Sequence, residues 1–177
     1  MAFLMQGFVA LSTLLIVAAA SLFGVSHASD TPSVFSKDSL TYYVQVEVGA
    51  PSLGTLLQPI NASISGSFGQ AVVFAFNATK SQSRTSKSLG LLRGYTVETN
   101  YISGGATRLL EVEFLDYDDG QYKGTLQYQG VVTPESTELA VVGGSGSFRG
   151  IRGYVVVTFV SSNNPFSTFL HKVTLLK

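Results

Sequence analysis

Beyond residue 28, no stretch of this chain holds a helical period. Runs of β-branched and aromatic residues instead return at short intervals, divided by Gly, Ser, Asn and Asp clusters. The spacing predicts eight strands, near Leu40–Val48, Gln70–Asn77, Leu89–Ile102, Thr107–Tyr117, Gln121–Val131, Leu139–Val142, Gly153–Ser161 and Thr168–Leu176. Joined by hairpin-length connections, such strands predict an all-β fold, an eight-stranded antiparallel β-barrel. Closure removes exposed edges, and at this strand number the interior can hold one small ligand. A β-sandwich is the competing arrangement. Gly49–Phe68 and the Ser- and Lys-rich Lys80–Ser88 read as rim loops.

Residues 138–154, ELAVVGGSGSFRGIRGY, carry the densest glycine punctuation. Gly143, Gly144 and Gly146 suit a tight reversal that β-branched residues cannot follow. A phosphate-cradling loop fails on spacing, because the G-x-G-x-x-G fingerprint would need glycine where Arg149 stands, and the sequence that follows is β-rich.

Residues 1–28 contain no Lys, Arg, Asp or Glu, and their apolar run ends at Ser26-His27-Ala28, a small-x-small cleavage pattern. They read as a secretory signal peptide, leaving residues 29–177 as a single domain. A basic leading region is missing apart from the terminal amine, so a retained anchor competes, although the run is short for a bilayer span. The chain has no cysteine, which excludes disulfides and thiolate metal sites. Eleven basic residues balance eleven acidic ones, leaving no electrostatic footprint for nucleic acid or, after cleavage, an anionic membrane. Export would expose two glycosylation sequons, at Asn61 and Asn77.

Conventional catalytic equipment is sparse. Only His27 and His171 are present, and the first leaves with the leader, so sites needing several imidazoles are excluded and no metal is expected. His171 shares strand parity with Phe169, Val173 and Leu175 and reads as a satisfied histidine on an apolar face. No G-x-S-x-G elbow accompanies it. Asp116, Asp118 and Asp119 read as a hairpin turn, since the calcium-loop pattern breaks at Gln127. Glu111 and Glu113 share a strand face opposite Leu110, Val112 and Phe114. The pair could be read as glycosidase carboxylates, but an exposed face is the expectation. Along the first strand, Tyr42, Val44, Val46 and Val48 form an apolar face that should line the interior. After Gly94, pattern alone leaves open whether the Tyr95 or the Thr96 set turns inward.

The stretch VVGGSGSFRGIRGY, residues 141–154, resembles the VVGGTGKFRxARGYA-like segment of the plant dirigent proteins. Weaker echoes precede it in order: Leu40-Thr41-Tyr42-Tyr43, Phe68-Gly69-Gln70-Ala71-Val72-Val73-Phe74, Gly90-Leu91-Leu92-Arg93-Gly94 and Tyr122-Lys123-Gly124-Thr125-Leu126. The resemblance implies the barrel that dirigent proteins share with allene oxide cyclases, secreted to the apoplast and assembled as a homodimer or homotrimer. Its partners would be monolignols or other phenols, met as phenoxy radicals generated by a separate laccase or peroxidase. The protein would steer their coupling toward one stereoisomer, in phenylpropanoid or lignan-type biosynthesis, with no cofactor and no oxidation of its own.

The resemblance also implies pocket aspartates that assist proton transfer, and here the aligned positions are Val46, Ala75, Phe76 and Val132, with Thr137 where an arginine is expected and Thr96 in place of a tyrosine. Tyr42, Val44, Val46, Thr96 and Glu98 are the pocket candidates, Glu98 as a substitute carboxylate if the Thr96 face points inward as the family register suggests. Two other functions compete: a secreted barrel that binds a small apolar or phenolic ligand without directing chemistry, and an allene-oxide-type cyclase. The uncharged leader, unlike a plastid transit peptide, argues against the cyclase.

Overall fold

In a computed structural model that describes residues 33–49, 51–102, 104–134 and 137–176, the alternating runs become nine strands. They are β1 (Ser39–Glu47), β2 (Leu53–Leu57), β3 (Ala71–Thr79), β4 (Ser88–Glu98), β5 (Leu109–Asp118), β6 (Lys123–Val132), β7 (Glu138–Gly144), β8 (Arg152–Asn163) and β9 (Phe166–Leu176). Eight correspond to the predicted runs. The ninth, β2, lies in the segment expected to be a rim loop, as does the single helical turn α1 (Ala62–Ser65). β4 ends before the expected Ile102, because the Glu98 carboxylate accepts hydrogen bonds from the Asn100 and Arg108 amides and turns the chain there. The signal-peptide reading of residues 1–28 lies outside the described residues.

The strands follow the order β1-β9-β8-β7-β6-β5-β4-β3, every neighbour antiparallel. β3 then pairs with β1 through Tyr43↔Thr79 to Gln45↔Asn77, which closes an eight-stranded barrel. β2 continues along the same edge of β3, from Leu53↔Phe74 onward.

Alternation decides what fills the interior. On β1, Tyr42 and Val44 are buried and Val46 packs against the core, whereas Val48 lies past the strand end and is 57% exposed, contrary to expectation. On β4, buried Leu92 sets the parity, so Thr96 and Glu98 turn inward and Tyr95 faces out. On β5, the expected exposed face is reversed. Glu113, Leu115 and Tyr117 are buried while Phe114 is 42% exposed. The cause lies further along the strand: burying Leu110, Val112 and Phe114 would turn Leu115 and Tyr117 out to solvent and carry Asp116 and Asp118 inward in place of the glutamates.

One end of the barrel is plugged by aromatic rings. Phe35 packs edge-on to Tyr122 at 4.7 Å and against Phe148 at 5.0 Å, and Phe148 meets Tyr117 at 5.5 Å. The glycine stretch builds this plug. Gly143 and Gly144 belong to β7 and do not form the predicted reversal, which follows as a 3-10 turn over Gly146–Phe148. Gly146 adopts φ +58°, and a Cβ on Gly144 would lie 2.4 Å from the Phe148 carbonyl oxygen. That close approach inserts fully buried Phe148 into the barrel end.

Candidate functional site

At the opposite end the interior is not filled. A cavity of about 350 Å³ opens there, walled by Val44 and Val46 of β1, Leu53 of β2, Phe74 and Phe76 of β3, Val132 of β6 and Val157 and Phe159 of β8. It falls within the usual size range for small-molecule sites, roughly 300–1,000 Å³. Phe74 and Phe76 stack at 5.0 Å, and Phe159 meets Phe169 edge-on at 5.7 Å, so flat rings face the space from two sides.

Glu111 and Glu113 of β5, together with His171 of β9, supply the ionisable lining. The two glutamates sit on one strand face, two residues apart, and their carboxyls hydrogen-bond each other. Burial pushes Glu113 well above the ordinary carboxylate range, and both the neighbouring Glu111 charge and the bond to it push the same way. Burial also raises Glu111, against the hydrogen bond from Glu113. Two like charges this close in an apolar site cannot both form, so the pair holds a proton on Glu113 that the two share. The Glu113 Oε2 atom is buried without a hydrogen-bond partner. An unmet acceptor of this kind costs about 1–3 kcal/mol.

Below the carboxylates, Tyr42 donates to the Tyr128 hydroxyl at 3.2 Å and meets His171 Nδ1 at 3.1 Å. Since the single Tyr42 proton goes to Tyr128, His171 carries its proton on Nδ1 and donates to Tyr42. Burial lowers the His171 pKa to about 3, so the imidazole is neutral. Burial raises both tyrosines. His171 is thus a satisfied core histidine that also touches the cavity. Replacing Tyr128 with Phe removes one hydrogen bond and leaves Tyr42 only His171 Nδ1 as a partner, and urea unfolding is expected to report a loss of about 0.5–1.5 kcal/mol with an unchanged m-value.

The structure brings some of the sequence candidates together and separates others. Val44 and Val46 line the cavity, and Tyr42 lies beneath it. Thr96 stands directly across the β4–β5 ladder from Glu111. Glu98 is 4% exposed, with its carboxylate engaged by the loop amides rather than by the cavity. Phe76, Val132 and Thr137, at positions aligned with family pocket residues, do line the space. The carboxylates that line it come from β5 instead: Glu111 and Glu113, the pair expected on an exposed face. Of the two sequon asparagines, Asn61 is exposed beside α1, whereas Asn77 lies within β3 and accepts a hydrogen bond from Ser88.

The model of the family described as Dirigent-like protein matches residues 38–176. Among solved structures, the pterocarpan synthase dirigent protein PsPTS1 is 25% identical with a TM-score of 0.66, over 80% of this chain and 97% of its own. A second pterocarpan synthase dirigent protein, GePTS1, is 26% identical with a TM-score of 0.64, over 77% of this chain and 87% of its own. A pyocyanin demethylase shares the fold at 15% identity and a TM-score of 0.54, over 78% of this chain and 99% of its own. No curated protein sequence matches the chain. The family match, spanning the whole barrel and its glycine turn, places this chain among the dirigent-like proteins.

Proposed function

We propose that this protein binds phenoxy radicals made by a separate oxidase and imparts stereoselectivity to their coupling, without oxidising anything itself. The observation that carries the reading is the cavity, apolar and aromatic on its walls and polar only at the carboxylate pair and the Thr137 and His171 side chains. Such a space selects one approach of two flat reactants by shape, and each tenfold in selectivity needs about 1.4 kcal/mol of differential binding. The pterocarpan synthase dirigent proteins, similar in fold and sequence, support a role in phenolic chemistry. Secretion by way of the leader, a glycan on exposed Asn61 and association into a homodimer or homotrimer belong to the same proposal.

A second reading, a binder that directs no chemistry, draws on Val46, Phe76 and Val132, apolar at positions where the family resemblance implies acids. One experiment separates the two. The purified protein is incubated with a laccase and coniferyl alcohol, and the dimers are resolved by chiral chromatography. An excess of one enantiomer at an unchanged rate of oxidation is expected. Racemic dimers from this and related phenols would leave only the binder.

A further inference from the structure

We propose that a second pocket, on the outer wall of the barrel, binds a sugar acid through Arg84. Alternation settles which side of the wall this is. Val44 and Phe169 line the cavity, so their strand neighbours Gln45 and Thr168, paired across β1 and β9, point outward, with Phe166, Ser161 and Asn163 in register beside them. Residues 80–87 fold back over this patch, which leaves outward-facing Thr168 only 6% exposed. The site is separate from the phenolic cavity and stands whether or not that cavity directs coupling.

The overlying loop is fixed to the wall. Gln45 donates to the Thr79 hydroxyl at 2.9 Å and to the Gln82 main-chain carbonyl at 3.2 Å, and its own side-chain oxygen accepts from Thr168 at 2.9 Å. Gln82 donates to the Ser161 hydroxyl at 3.3 Å. At the base of the loop the Lys80 amide donates to the Lys87 carbonyl at 2.9 Å. Loop and wall enclose about 290 Å³, lined by Gln82 and Arg84 on one side and by Ser161, Asn163, Phe166 and Thr168 on the other. Carboxamides and hydroxyls dominate, one cation is present and no lining residue is acidic, the reverse of the apolar cavity with its carboxylates.

Arg84 decides the charge of the ligand. Its guanidinium lies 3.4 Å from the centre of the Phe166 ring, a stack that holds the plane by its face and leaves the N–H edge open. Neither ion pair among the described residues involves it. Glu47, which stands opposite Phe166 across the β1–β9 ladder, does not line the pocket. A fixed planar fork of donors matches a carboxylate in two parallel hydrogen bonds. The amides of Gln82 and Asn163 and the hydroxyls of Ser161 and Thr168 offer both donors and acceptors, the complement of sugar hydroxyls. A bare anion would leave the amides unmatched, and a neutral sugar would leave the guanidinium unmatched. A sugar ring that carries a carboxylate meets both.

Calorimetric titration of the purified protein with galacturonate, galactose and inorganic phosphate tests this. Galacturonate is expected to bind about tenfold more tightly than galactose, which has the same ring with a hydroxymethyl group for the carboxylate, and more tightly than phosphate. Arg84→Gln, at an exposed position, should bring galacturonate down to the level of galactose. Arg84→Lys keeps the charge without the fork or the stack, and should weaken galacturonate at least about threefold. Circular dichroism checks that both variants fold. Equal binding of galacturonate and galactose, phosphate binding as tightly as galacturonate, or galacturonate binding unchanged by Arg84→Gln overturns the proposal. Absence of galacturonate binding overturns it too. Trigalacturonate identifies the source: tighter binding than the monomer supports a stretch of acidic polysaccharide, and equal binding supports a free sugar acid at the same site.

Discussion

Phe148→Ala is expected to destabilise the barrel by about 3–5 kcal/mol, the range for removing a large buried aromatic side chain. Phe148 is fully buried and joins Phe35 and Tyr117 across the plugged end, so truncation opens a void walled by groups from the N-terminal segment, β5 and the 3-10 turn. The turn leaves little room to collapse, because Gly144 already lies against the Phe148 backbone. Denaturant unfolding should show the midpoint fall with an unchanged m-value. Phe159→Ala supplies the contrast. That ring is 58% exposed at the cavity and should cost roughly 1 kcal/mol or less, since surface truncations lie near ±0.5 kcal/mol. A large Phe159 effect with a small Phe148 effect would mean that the plug is not the structural anchor of the fold.

The second large effect has the opposite sign. Glu113→Leu should stabilise the protein by about 1–3 kcal/mol at neutral pH, because it removes a buried acid with an unmet oxygen from an apolar wall. The pH dependence identifies the cause. The native state holds a proton that the unfolded chain, titrating near 4.5, gives up, so stability falls as pH rises from about 4.5 toward the raised native value. His171 acts the other way. The unfolded chain takes up a proton below about 6.5 while the native imidazole stays neutral down to about 3, so stability falls as pH drops through that interval. Between 4.5 and 6.5 the two slopes oppose. Above 6.5 the histidine contributes no slope, and any decline carried by the glutamate pair should disappear in Glu113→Leu. Thermal melts of both proteins from pH 4 to pH 8.5 measure this. Parallel curves would show that Glu113 is not protonated in the native protein.

How far the sequence reveals this molecule depends on how many residues vote on each question. Barrel architecture has many votes, since each strand repeats the alternation and the glycine stretch fixes the kinship. β2 has few: Leu53–Leu57 is short, lies between Pro51 and Pro59, and owes its strand geometry to the edge of β3 rather than to its own pattern. Alternation read from the sequence assigns the cavity acids to the wrong face for a different reason. Over Leu110–Phe114 the apolar residues favour one inward face, but the strand is stiff enough that Leu115, Tyr117 and the outward need of Asp116 and Asp118 settle the parity of all ten residues. A window over the whole strand carries that signal. That Glu98 bonds to its own loop, by contrast, rests on the path of residues 99–108, which no alternation encodes.

Closure through the β1–β3 pairs limits where another strand could add. Most main-chain donors and acceptors of the sheet are already matched within the molecule, and the outer side of β2 is left as a free edge. That edge is five residues long and is broken by a register shift between Thr55 and Leu57. It is short and irregular, which makes it a poor template for another strand.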